Sequence, residues 1–293
     1  MKEASLSAVQ TLLVVAALLS LSPCARVADA RFISTNPVKE KLFDGGVVYG
    51  AFLTIPSYKA VENVAQDGRL DFVWLEAEHT EWGAAEAQEM VVACENEGLV
   101  AVIRTPQATD VEVTKKFVGT GAPGIIFPNI GASNGGYLGE AVGAVQAAQY
   151  AIASIKYPPV GIRRAGAERA NGYLAYFDAY VSVANNLTMA VLMVETPEAV
   201  ASIDEIAALP GLDVLHLGPY DLSLRMNVSM DSPELAAAIA SVELAAAKAG
   251  VPLGSAAASL AEAEAMVERG YRFFTIPGDM QMIQAGVAEF FGG

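Results

Sequence analysis

Short apolar runs rich in β-branched and aromatic residues recur along the chain. They lie at Val47–Leu53, Leu70–Leu75, Val100–Ile103, Gly124–Pro128, Met189–Glu195, Leu212–Gly218, Val251–Gly254 and Phe273–Pro277. Their continuous apolarity, without polar alternation, suits parallel strands covered on both faces. Stretches with helical spacing lie between most of them. Gly83–Glu97 stops at Gly98, Ala199–Leu209 at Pro210-Gly211, and Ser259–Arg269 at Gly270. Pro233–Ala249 runs from Ser232 as N-cap to Gly250 as C-cap. Eight strands alternating with about eight helices predict a single-domain (β/α)8 (TIM) barrel. A doubly wound open sheet is the alternative with the same alternation. Tyr150–Leu187 fits neither pattern; it holds Tyr157-Pro158-Pro159 and the arginines Arg163, Arg164 and Arg169. A long connection of this kind is more often functional than idle.

The first thirty residues follow a different pattern. After Lys2, the run Val9–Leu21 is apolar except for Gln10, Thr11 and Ser20, and Ala28-Asp29-Ala30 follows. This predicts an export signal over 1–30, cut after Ala30, with the barrel at 31–293. The apolar run is shorter than the roughly 20 residues a membrane-spanning helix needs. The destination is periplasmic, lumenal or secreted, and the sequence does not choose among these. Cys24 leaves with the signal, so Cys94 has no internal partner; on an apolar helix face it reads as a core residue.

The 293 residues carry 18 Lys+Arg against 33 Asp+Glu, a net charge of −15. That balance argues against a nucleic-acid surface and against docking on anionic lipid. In a barrel, catalytic groups gather at the C-terminal ends of the strands. There stand Glu76-Ala77-Glu78-His79, Arg104-Thr105-Pro106, Glu195, and Gly218-Pro219-Tyr220-Asp221. Glu195 and Asp221 trail neighbouring strands. Two such carboxylates repel unless a cation lies between them, and hard oxygen ligands suit Mg²⁺ or Mn²⁺. Helix capping would also account for either residue. A guanidinium at position 104 needs an anion, either a nearby acid or an oxyanion formed during reaction. His79 is a candidate general acid or base, with Glu76 or Glu78 fixing its tautomer. Strand alternation separates His79 from both acids unless the chain turns near Ala77. His216, inside an apolar run, reads as a core histidine. Gly119-Thr120-Gly121-Ala122-Pro123-Gly124 matches G-x-G-x-x-G but follows a helix and leads into a strand, the reverse of a dinucleotide site.

Five of these segments, in this order, resemble the HpcH/HpaI aldolase family. They are Glu76-Ala77-Glu78-His79, Val102-Ile103-Arg104-Thr105-Pro106, Tyr157-Pro158-Pro159-Val160-Gly161-Ile162-Arg163, Glu195-Thr196-Pro197-Glu198-Ala199 and Gly218-Pro219-Tyr220-Asp221-Leu222-Ser223. The resemblance implies a (β/α)8 barrel, usually hexameric, with a C-terminal helix exchanged between partners. It implies cleavage or formation of 4-hydroxy-2-oxo acids through a pyruvate enolate, with a divalent cation (Mg²⁺, Mn²⁺ or Co²⁺). By position it implies Glu195 and Asp221 as metal ligands and Arg104 against the enolate oxygen. It further implies His79 with Glu76 at the aldol hydroxyl, and Gly218-Pro219 lining the pyruvate pocket. Glu76 stands where the family commonly has Asp, Met193 where it often has Gln, and Gly119 where an acid is usual. Two other readings stand beside this one. One is a CoA-thioester lyase of the citrate lyase branch, its CoA phosphates served by the three arginines. The other is a non-catalytic barrel that binds a metal or an oxo acid.

Overall fold

The computed structural model describes residues 35–132 and 142–292. The segment read as an export signal lies outside the described residues, as does 133–141.

Eight parallel strands close into one barrel in chain order: β1 (Val48–Leu53), β2 (Phe72–Glu76), β3 (Val100–Arg104), β4 (Gly124–Phe127), β5 (Met189–Val194), β6 (Val214–Leu217), β7 (Leu253–Ala256) and β8 (Tyr271–Ile276). β8 pairs back onto β1, with Val48 beside Phe273, so the open-sheet alternative is excluded. α1 (Pro37–Phe43) precedes β1. Around the barrel lie α2 (Tyr58–Ala65), α3 (Ala84–Asn96), α4 (Val111–Gly119), α5 (Ala144–Ser154) and α6 (Phe177–Leu187). They continue with α7 (Pro197–Ala201), α8 (Ile203–Ala207), α9 (Pro219–Met226), α10 (Pro233–Ala249), α11 (Leu260–Val267) and α12 (Asp279–Phe290).

Two expectations change. The run Ala199–Leu209, read as one helix, is the end of α7 followed by α8. Ser202 ends α7 and precedes α8 at φ −111°, ψ 18°, which breaks the helical path. The unplaced Tyr150–Leu187 holds the end of α5, a 3₁₀ turn at Arg169–Asn171, and α6. The glycine motif lies where expected, with α4 before it and β4 after it.

Strand alternation sorts the core into two parts. One set of positions packs outward against the helices, with Leu53, Leu75, Ile103, Ile125, Leu192 and Leu215 fully buried. The other set fills the barrel, including Val48, Phe72, Trp74, Val102, Val191, Val214 and Phe273. The Phe72 and Phe273 rings stack at 4.3 Å. Gly50 admits them: a Cβ there would lie 2.2 Å from the Phe72 ring.

α1 plugs the N-terminal end, burying Val38 and Leu42. Its N-cap Asn36 donates to the carbonyls of Pro123 (3.1 Å) and Leu187 (3.0 Å). Lys39 pairs with Asp213 at 2.8 Å. Beside it Lys156 is buried, donating to the carbonyls of Asn185 (2.7 Å) and Thr188 (2.6 Å). Burial, reinforced by the charge of Lys39, pulls the Lys156 ammonium down to about 8, with Asp213 opposing. The unfolded chain therefore holds the extra proton between about pH 8 and the ordinary lysine range. In that window the folded state gains on the unfolded one as pH rises. Denaturant titrations of wild type and Lys156→Met at pH 7.5 and 10 should show the difference moving toward wild type by about 1–3 kcal/mol. A difference that stays flat would remove Lys156 as the cause.

Candidate active site

The interior rows of alternating residues continue to the C-terminal rim, where they turn polar. On β2 the row Phe72, Trp74 ends in Glu76. On β3 Val100, Val102 ends in Arg104, paired in register with Glu76. On β5 Met189, Val191, Met193 leads to Glu195. On β6 Val214, His216 leads to Gly218. The period of two thus places three ionisable groups and one glycine at a single mouth.

Arg104 is the centre of this layer. Its Nε donates to Glu76 Oε2 at 2.5 Å, and its Nη1 lies 3.0 Å from Glu78 Oε2 and 3.7 Å from Met193 Sδ. Its guanidinium carbon sits 5.5 Å from the Trp74 ring centroid and 5.8 Å from that of Phe52. Only 8% of the side chain is exposed. A guanidinium fixed by two carboxylates and two rings keeps one orientation.

β2 ends at Glu76 and the chain turns at once, so alternation no longer governs Glu78 and His79. The two acids then take different tasks. Glu76 is fully buried and accepts from Trp74 Nε1 (3.1 Å), from Arg104 and from the backbone N–H groups of Glu78 (2.7 Å) and His79 (2.9 Å). It holds the turn and does not meet the imidazole. The acid beside the ring is Glu78, with Oε2 at 3.6 Å from His79 Nε2. This corrects the expectation that Glu76 accompanies His79. His79 itself is 67% exposed and faces the mouth's open side.

Glu195 is buried, and the capping reading fails for it. The N-cap of α7 is Thr196, whose hydroxyl accepts from the Ala199 N–H at 3.0 Å. Glu195 Oε1 instead accepts the backbone N–H of Asn129 at 2.5 Å. Gly218 leaves room for Oε2: a Cβ there would lie 2.8 Å away. Asp221 stands in the first turn of α9, three residues past the Gly218 N-cap. Burial pushes the Glu195 carboxyl up to about 7, against the Asn129 N–H, with the charges of Glu78 and Asp221 adding to the rise. Glu78 is pushed up to about 7 by burial, against Arg104, with Glu76 and Asp221 adding to the rise. Three carboxylates around one guanidinium already engaged by Glu76 lack positive charge.

That deficit and the cradle at Gly218 fit a hard divalent cation on Glu195 and Asp221. Among the described residues, no group of three or more His, Cys, Asp or Glu forms a closed cage. Two carboxylates leave positions open for water and a substrate's oxygens.

One site residue was missed from sequence. Asn129, just past β4, has φ 56°, a left-handed conformation that asparagine tolerates better than most residues. Besides its N–H on Glu195, its Nδ2 donates to Glu78 Oε1 at 2.7 Å, and its Oδ1 accepts from Arg225 Nη2 at 2.7 Å. It lies at the end of a run read as strand through Pro128. Only the Pro-Asn pair, a turn signal, marked it.

His216 is fully enclosed in the barrel, edge-on to Trp74 at 5.0 Å, and burial pulls its imidazolium down to about 3. It stays neutral. Cys94 is a buried residue of α3, as read. The three arginines of the long connection are all engaged. Arg163 pairs with Glu168 between the Tyr157 and Tyr180 rings, Arg164 pairs with Glu112, and Arg169 pairs with Glu95. Each thus has an acid partner within the chain, where the thioester reading needed it for a phosphate.

Comparison with known proteins gives one consistent result. The family model described as HpcH/HpaI aldolase/citrate lyase matches residues 49–284. A hydroxypyruvate/pyruvate aldolase of Paraburkholderia phytofirmans is 32% identical over 86% of this chain and 95% of its own. A 2-dehydro-3,6-dideoxy-6-sulfogluconate aldolase of Pseudomonas putida is 27% identical over 82% of this chain and 89% of its own. The crystal structure of an HpcH/HpaI aldolase/citrate lyase family protein from Burkholderia cenocepacia superposes with a TM-score of 0.78 at 27% identity. It covers 88% of this chain and 98% of that one.

Proposed function

As a member of the HpcH/HpaI aldolase/citrate lyase family, this chain is a carbon–carbon lyase, and we propose that it cleaves and forms 4-hydroxy-2-oxo acids at the mouth built around Arg104. The observation that carries this reading is the buried cluster at the strand ends, where Arg104 is held between Glu76 and Glu78 and Asn129 links Glu78 to Glu195. Glu195 and Asp221 would hold the divalent cation, which supplies Lewis acidity toward the 2-oxo group. Aldolases of this type are generally divalent-metal dependent.

In cleavage, the C3–C4 bond breaks and its electron pair moves onto the pyruvate half as an enolate. Arg104 faces that developing oxyanion from a side chain only 8% exposed, where a preorganised donor acts most strongly. The 4-hydroxyl gives up its proton as the aldehyde carbonyl forms. His79 takes that proton, and Glu78, 3.6 Å from its Nε2, stabilises the imidazolium. C3 then takes up one proton from solvent, His79 gives its proton back to solvent, and pyruvate leaves. Glu76 acts through others, holding Arg104 and the turn that carries His79. The backbone at Gly218-Pro219 lines the pyruvate side, and the missing Cβ at Gly218 keeps Glu195 in place.

Pyruvate release from a panel of 4-hydroxy-2-oxo acids, with Mg²⁺, Mn²⁺ or Co²⁺ and with chelator, tests the reading. Turnover should vanish on chelation and return with at least one of the three ions. Turnover indifferent to chelator, or absent with every ion, would sink it.

A further inference from the structure

The mouth holds a second arginine that the reaction as written does not use. Arg225 lies one helical turn after Asp221 on α9, so the two share a helix face. An i, i+4 acid–base pair of this kind ordinarily closes into an ion pair on the helix surface. Here it does not. Among the described residues no carboxylate lies within 4.0 Å of the Arg225 guanidinium; its Nη2 donates instead to the neutral Oδ1 of Asn129 at 2.7 Å. Asn129 is held in turn by its own bonds to Glu195 and Glu78 and by its left-handed turn. The guanidinium is therefore tethered to Asn129 on an exposed side chain, with no acid partner among the described residues.

A helix-dipole role, with a cation near the C-terminal end of α9, accounts for the charge but not for the tether to Asn129. The surroundings supply a reason for both. The mouth carries Glu78, Glu195 and Asp221, and the chain carries a net charge of −15. That field repels an anionic aldehyde. A fixed cation beside the acids would admit one, and an arginine fork matches a carboxylate or sulfonate in two bonds. One helical turn is about 5.4 Å, which places Arg225 roughly the length of a short carbon chain from Asp221.

Resting on the aldolase reading above, the geometry points to Arg225, held by Asn129, as the residue that selects substrates whose aldehyde half bears an anionic group. The uncharged aldehyde is then the disfavoured partner. Such a substrate is 4-hydroxy-2-oxoglutarate, which splits into pyruvate and glyoxylate. Its uncharged counterpart is 4-hydroxy-2-oxopentanoate, which splits into pyruvate and acetaldehyde.

The test is the ratio of kcat/KM for these two substrates in wild type, Arg225→Lys and Arg225→Gln. Wild type should favour the dicarboxylate, Arg225→Gln should lower the ratio about tenfold or more, and Arg225→Lys should keep part of it. A ratio unchanged in Arg225→Gln, or a wild type without preference, overturns the assignment. Calorimetric binding of 2-oxoglutarate and 2-oxopentanoate in the presence of Mn²⁺ gives a second readout that needs no turnover. A preference for 2-oxoglutarate that disappears in Arg225→Gln upholds Arg225 even in a catalytically silent protein, whose silence would count against the aldolase reading alone. Equal binding of the two acids by wild type overturns the inference.

Discussion

Glu195→Gln should lose chelator-sensitive turnover by about a thousandfold or more, because a Lewis acid at a developing oxyanion is worth several kcal/mol. The amide keeps the shape of the carboxyl. Its oxygen can still accept the Asn129 N–H, so the loss isolates charge rather than packing. The same substitution should make the metal-free protein more stable at alkaline pH. Burial, with the charges of Glu78 and Asp221, raises the folded Glu195 carboxyl to about 7 from its ordinary value of 4.5. Between those values the folded state binds more protons than the unfolded state. Stability therefore falls as pH climbs through the window, and the penalty is complete above it. At pH 8 the ionised Glu195 costs up to about 3 kcal/mol, all of which the amide avoids. Thermal melts in chelator should place Glu195→Gln above wild type at pH 8, with the gap closing at pH 4.5. A variant that melts lower at both pH values would mean Glu195 contributes packing, not repulsion. A variant that retains tight Mn²⁺ binding would take it out of the metal site. Gain of stability with loss of function is the signature of a site organised for a ligand.

The barrel and the ring of acids at its mouth were legible because each follows from a local period. Strand residues two apart share a face, so Trp74–Glu76, Val102–Arg104 and Met193–Glu195 are interior rows that become polar at the rim. Four side chains at the mouth behave less predictably. Glu76 and Glu78 both stood beside His79 in the sequence, and only the turn at the end of β2 decides between them. That turn makes Glu76 bind the backbone of His79 and leaves Glu78 against the ring. Asn129 and Arg225 are 96 residues apart, and no local pattern predicts a bond between them. It forms because the barrel places β4 next to β5 and β5 next to β6, after which α9 begins. The break at Ser202 was hidden for a related reason. The apolar spacing of Ala199–Leu209 stays helical across it, while the backbone turns. Long-range closure, not propensity, supplies what the chain's local pattern leaves open.

Arg104→Lys should lower kcat by about a hundred- to a thousandfold while leaving metal affinity within a few fold of wild type. The argument starts from how position 104 is filled. One nitrogen of the guanidinium binds Glu76, another lies against Glu78 and Met193, and the plane faces Trp74 and Phe52. A lysine ammonium is a single point on a flexible stem and satisfies Glu76 or Glu78, not both. Whichever acid it leaves is a largely buried carboxylate that has lost its cationic partner. Breaking a buried pair outright costs about 3–5 kcal/mol, and the retained charge of lysine should hold the loss well below that. The fixed donor facing the enolate is lost in either arrangement, so the transition state suffers more than the fold. Single-turnover rates, Mn²⁺ titration and denaturant midpoints on the same preparation separate these effects. Arg104→Met removes the charge altogether and should add the full buried-charge penalty on Glu76 to the catalytic loss. If Arg104→Lys turns over at the wild-type rate with its metal affinity intact, the guanidinium does not face the reacting oxygen and serves only to anchor Glu76.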